Sequence, residues 1–111
     1  MKTLSYDQLK KMKDSREKFI LINVLPAETF NEAHIDDSIN IPLKQADFEA
    51  QVEKAAGGKD RKVVTYCASF ECPASHDAAE KLEKAGFTDV SAYEGGTKEW
   101  LEKSGKRQAA A

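Results

Sequence analysis

The chain has no apolar run approaching the roughly 18 residues that a membrane-spanning helix needs, and its longest, Phe19-Ile20-Leu21-Ile22-Asn23-Val24, is of strand length. Met1-Lys2-Thr3-Leu4-Ser5 leads into polar sequence, with no signal-peptide core. Charge of one sign is also missing: 17 Lys and Arg are mixed with 19 Asp and Glu, for a net charge of −2. That balance argues against nucleic-acid or membrane-surface binding through a basic patch. Cysteine is scarce, with two in 111 residues, so no disulfide scaffold is expected. The predicted setting is cytoplasmic, where two cysteines are free thiols or a transient pair. No Cys-x-x-Cys or His-x-x-x-His unit occurs, so no metal site is expected, and no cofactor motif is present. Internal repeats and low-complexity segments are absent. A hydrophobic content of 41% is enough for one core.

What is there alternates. Ser5 and Gln8 have the form of a capping box, and Leu4, Leu9 and Met12 share one helical face, predicting a helix from Tyr6 to about Lys13. The run from Phe19 to Val24 reads as a parallel strand buried on both faces. Pro26 suits a first helical position ahead of Ala27 to Ala33. Ser38-Ile39-Asn40-Ile41 is a short strand stopped by Pro42, and Gln45 to Ala56 is a helix ended by Gly57-Gly58. A strand from Lys62 to Tyr66 follows. Ala78, Ala79, Leu82 and Ala85 then repeat at helical spacing, Val90-Ser91-Ala92-Tyr93 is a last strand, and Thr97 to about Lys103 closes the fold. The alternation predicts an α/β domain over residues 1–104, with a mainly parallel sheet, helices on both faces and a frayed tail at 105–111.

Cys67 stands where Val63-Val64-Thr65-Tyr66 gives way to a loop and a helix. In parallel sheets ligands bind beyond the carboxyl ends of strands, and N–H groups at a helix start favour an anion. The position suits a thiolate; it also suits a small buried hydrophobe capping a core strand.

Three stretches resemble the rhodanese (sulfurtransferase) domain. Leu21-Ile22-Asn23-Val24, with Glu28, Phe30, His34-Ile35 and Ile39-Asn40-Ile41-Pro42, is similar to the family's first signature. Val63 to Cys67 followed by Ala78-Ala79 and Leu82 is similar to its active-site strand, cysteine and helix. Phe87-Thr88-Asp89-Val90 with Tyr93-Glu94-Gly95-Gly96 and Trp100 is similar to its closing signature. The resemblance implies about five mostly parallel strands flanked by helices on both faces. It implies Cys67 as the nucleophile, held by backbone N–H groups of the loop Ala68-Ser69-Phe70-Glu71-Cys72-Pro73-Ala74, with a thiolate pKa near ambient pH serving best. Cys67 would take sulfane sulfur from a donor as a persulfide and pass it to a thiol, cyanide or a protein sulfur carrier.

The loop departs from the family, whose active loops often close with an arginine. Counting forward from Cys67 puts that arginine at Cys72, and counting back from Ala78-Ala79 puts it at Ala74. Neither is basic, and Glu71 adds a negative charge, so persulfide or polysulfide donors are expected over thiosulfate. Asn23 and Leu25 replace the family's Asp and Arg in the first signature, predicting a retained fold with a less cationic site. Cys72 is a candidate resolving thiol, or a small residue tucked under the loop. Pro73 and Ser75 both suit the start of the following helix, Ser75 being the better N-cap candidate. His34 is expected to bond backbone, His76 to face solvent, Phe70 to project or to cover the loop, and Trp100, Phe87 and Tyr93 to pack in the core. Gly95-Gly96 reads as a tight turn near the active loop. Two other functions fit the same residues: a catalytically silent protein-binding module, and a Cys67/Cys72 redox switch.

Overall fold

A computed structural model describes residues 1–104. Five strands, β1 (Lys2–Leu4), β2 (Ile20–Asn23), β3 (Ile39–Asn40), β4 (Val63–Tyr66) and β5 (Val90–Tyr93), form one sheet of order β1-β5-β4-β2-β3. Every pairing is parallel. The helices are α1 (Tyr6–Asp14), α2 (Ala27–Glu32), α3 (Phe48–Ala56), α4 (Ala74–Lys84) and α5 (Gly96–Ser104). No helix among the described residues is long and apolar enough to cross a membrane. The tail predicted to fray, 105–111, lies outside them.

Because side chains alternate across a strand, each inner strand feeds two cores. Val63 and Cys67 face one side with Ile22, Val90, Phe48, Val52, Ala78, Ala79 and Leu82, under α3 and α4. Val64 and Tyr66 face the other with Leu21, Tyr93, Tyr6, Leu9 and Trp100, under α1 and α5. Burial on both faces is why β2 and β4 read as continuous apolar runs. Trp100, Phe87 and Tyr93 are core, as their positions predicted.

The predicted capping box forms: Gln8 N–H donates to Ser5 Oγ at 3.2 Å and Ser5 N–H to Gln8 Oε1 at 2.8 Å. Other boundaries moved for physical reasons. Lys2–Leu4 is an edge strand beside β5, too short and too exposed to show a period. α3 begins at Phe48, not Gln45, because Leu43 N–H bonds Val24 O at 2.9 Å and keeps the chain along β2 beyond Pro42. Pro26 is the N-cap of α2, not its first turn. Pro73, not Ser75, caps α4; lacking an N–H, it starts a helix without losing a bond.

Tyr66 ties the sheet to the segment before β3. Its hydroxyl accepts from Ile35 N–H at 3.0 Å and bonds Ser38 Oγ at 2.6 Å, with both Ile35 and Tyr66 fully buried. Tyr66→Phe leaves the Ile35 N–H without a partner, and is expected to cost about 1–3 kcal/mol. Urea unfolding checks this: the midpoint falls with an unchanged slope, and an unmoved midpoint contradicts it.

Candidate active site

β4 is the central strand, flanked by β2 and β5 with Tyr66 in register with Asn23 and Tyr93. Cys67 is the first residue beyond its carboxyl end and has no exposed surface. The chain cannot leave the sheet freely here, because the amino end of α5 holds it. Thr97 N–H donates to Cys67 O and Lys98 N–H to Ala68 O, each at 2.9 Å. The first N–H groups of a helix have no partner within it, and here the segment after β4 supplies their acceptors. The approach is close: a Cβ on Gly96 would stand 2.4 Å from Cys67 O and 2.7 Å from Ala68 C. Gly96 itself has φ +67°, a conformation that favours glycine.

Beyond Ala68 the loop turns, with Cys72 N–H bonded to Ser69 O at 3.1 Å. Phe70 projects at the tip, 67% exposed, beside exposed Glu71. The turn brings Cys72 back over Cys67, whose Sγ–H donates to Cys72 O at 3.2 Å. Cys72 is half-buried and packs, with Leu25, Leu43 and Ala74, against the cluster that contains Cys67. Both thiols are free. No disulfide joins them.

Ser75, in the first turn of α4, is 1% exposed. Its carbonyl is fixed by Thr65 Oγ1 at 2.7 Å, which locks α4 to β4. Its hydroxyl is buried without a hydrogen-bond partner in this arrangement, yet hydroxyl and N–H both lie where they favour an anion on Cys67. Opposing them, burial pushes the Cys67 thiol up from its ordinary 9.0, and the neighbouring Cys72 thiol pushes it further. Burial, the largest influence, holds the Cys67 thiol above its ordinary 9.0, whereas a thiolate near ambient pH serves sulfur transfer best. The one hydrogen bond described for the sulfur runs to the Cys72 carbonyl, with the Cys72 thiol and the N–H and hydroxyl of Ser75 as its polar neighbours.

Asn23 Oδ1 accepts from Leu25 N–H at 2.9 Å, and Asn40 Nδ2 bonds Leu25 O at 2.8 Å and Asn23 O at 3.1 Å. An amide network thus holds the loop after β2 without an ion pair. His34 Nδ1 lies 2.9 Å from Phe30 O and its ring stacks on Phe30 at 4.0 Å, a local tie. His76 is half-buried in α4. No group of three or more His, Cys, Asp or Glu suited to a metal ion occurs among the described residues. The inward role of Ser75 escaped the sequence reading, because a serine near a helix start reads as a cap. Thr97 escaped it too, since nothing local marks an N–H that bonds a carbonyl 30 residues away.

A five-stranded parallel sheet with a buried cysteine at the carboxyl end of its central strand, enclosed by the strand-to-helix loop, defines an α/β domain of the class whose ligands bind beyond the carboxyl ends of the strands. The chain belongs to the rhodanese-like domain family, whose model matches residues 5–103. It is 31% identical over 102 residues to thiosulfate sulfurtransferase GlpE of Shewanella oneidensis, covering 91% of this chain and 93% of that one. It is 33% identical over 82 residues to GlpE of Pseudomonas savastanoi pv. phaseolicola, covering 73% and 71%. Among solved structures, thiosulfate sulfurtransferase from Pseudomonas aeruginosa superposes with a TM-score of 0.81 at 19% identity, over 96% of this chain and 20% of that chain. That likeness concerns the fold.

Proposed function

We propose that the chain is a single-domain sulfurtransferase that carries sulfane sulfur as a persulfide on Cys67. The observation that carries this reading is the buried, unpartnered hydroxyl of Ser75 beside the Cys67 sulfur. Burying a polar group without a bond is costly, and an anion on that sulfur satisfies it. The Cys67 thiolate attacks the sulfane sulfur of a donor, the donor's remainder leaves as a thiolate, and Cys67–S–S⁻ results. An acceptor thiol or cyanide then takes the outer sulfur and frees the Cys67 thiolate. Residues 68–74 form the substrate-binding loop, and exposed Phe70 at its tip suits a protein-borne carrier. The absence of arginine from this loop and the presence of Glu71 favour persulfide or polysulfide donors over thiosulfate. Free Cys67 and Cys72 fit a reducing, cytoplasmic setting.

Intact-mass measurement after exposure to polysulfide, and separately to thiosulfate, tests the reading. The expected result is a gain of sulfur after polysulfide, absent in Cys67→Ser, with little gain after thiosulfate. A second reading, a catalytically silent protein-binding module, is favoured by the enclosure of Cys67, whose burial pushes its thiol up. No sulfur adduct from any donor would establish it instead.

A further inference from the structure

Cys67 and Cys72 differ in one respect that bears on delivery: the first has no exposed surface and the second is half-buried at the loop surface. An enclosed sulfur can be loaded by a small donor when the loop yields, but a bulky acceptor cannot reach it. The Cys67 S–H bond is directed at Cys72, as its 3.2 Å contact with Cys72 O requires. A sulfane sulfur on Cys67 takes the valence now held by that proton. The new S–S bond is therefore directed at the Cys72 segment, whose carbonyl must move aside to admit it and whose thiol neighbours the Cys67 thiol. Both residues pack in one cluster, and the turn closed by Cys72 N–H to Ser69 O keeps them together.

From this arrangement we propose that Cys72 is the exit thiol, receiving sulfane sulfur from Cys67 and presenting it to acceptors too large to enter the loop. The inference rests on the persulfide reading above. In the step, the Cys72 thiol gives its proton to the outer sulfur of Cys67–S–S⁻, and the resulting Cys72 thiolate attacks that sulfur. A bond from Cys72 Sγ to that sulfur forms as the Cys67 Sγ bond to it breaks, leaving Cys72–S–SH and the Cys67 thiolate. The proton stays on the transferred sulfur, one S–S bond replaces another, and no oxidant or reductant is consumed. Cys72 is then a catalytic residue in its own right.

The test loads the full chain with polysulfide, quenches with a persulfide-preserving alkylating reagent after increasing times, and maps the extra sulfur by peptide mass. The expected result is sulfur on Cys67 first and on Cys72 later, with a constant total. In Cys72→Ser, delivery to a thiol carried on a protein falls about tenfold more than delivery to cyanide, each taken per sulfur loaded on Cys67. Sulfur confined to Cys67 in the parent chain, with both deliveries changed equally in the variant, overturns the proposal. Attack on the inner sulfur would instead release hydrosulfide and leave a Cys67–Cys72 disulfide, seen as a loss of two protons, and that too overturns it. Failure of Cys67 to load at all sinks the underlying persulfide reading and is distinguishable from both.

Discussion

Gly96→Ala is expected to destabilise the fold by about 3 kcal/mol, combining the strain of a left-handed alanine with overpacking, and to abolish sulfur loading on Cys67. The new Cβ would meet Cys67 O at 2.4 Å, Ala68 C at 2.7 Å and Ser69 N at 2.8 Å. All three are backbone atoms, so no rotamer change relieves the overlap. The loop must move away from α5, and the bonds from Thr97 and Lys98 to Cys67 O and Ala68 O break with it. Gly57→Ala is the matching control. Gly57 also has a positive φ, +89°, but nothing lies within 4 Å of a Cβ there. Its cost is conformational strain alone, about 1 kcal/mol. Urea unfolding of both variants, with the polysulfide mass gain read alongside, checks the pair. Equal midpoints for the two variants would contradict the overlap argument.

A second large effect concerns pH. Cys67 is held above its ordinary 9.0, first by burial and then by the Cys72 thiol. Only the thiolate reacts, so alkylation of Cys67 by iodoacetamide, told apart from that of Cys72 by peptide mass, is expected to rise about tenfold per pH unit from neutrality to about pH 9. Ser75 works in the opposite direction, its N–H and hydroxyl favouring the anion. Ser75→Ala removes one of these donors, so the profile moves to still higher pH and the neutral-pH rate falls about tenfold. A variant with an unchanged pH profile would show that the hydroxyl does not serve the sulfur. The same raised pKa bears on stability. From about pH 9 upward the unfolded chain releases the Cys67 proton while the folded chain keeps it, so the folded state binds more protons and stability falls as pH rises. Tyr66 and Tyr93, both raised above 10.0 mainly by burial, act with the same sign at higher pH. Stability from these groups is present in full at neutral pH.

Much of the fold was legible because parallel strands buried on both faces leave unbroken apolar runs. Phe19 to Val24 and Val63 to Tyr66 therefore located β2 and β4, and Cys67 fell at the strand end where ligands bind. The capping box at Ser5 and the helical spacing of Ala78, Ala79 and Leu82 are signals of the same local kind. Lys2–Leu4 left no such signal: it is a strand only because β5 offers it an edge. α3 lost its first three predicted residues to a long-range bond between Leu43 and Val24.

The site divides along the same line. Sequence by itself determined that Cys67 ends an apolar strand, that a second cysteine follows in a loop without arginine, and that a Gly-Gly turn comes after the last strand. Those are properties of order along the chain. Tertiary structure alone decided that the Cys67 sulfur is enclosed and its thiol pushed above 9.0 by burial, that Ser75 turns inward instead of capping α4, and that the carbonyls of Cys67 and Ala68 end on N–H groups of α5. Each depends on which groups from distant segments exclude water from a single sulfur, and burial of that kind is set only when the sheet has brought β4, α4 and α5 together.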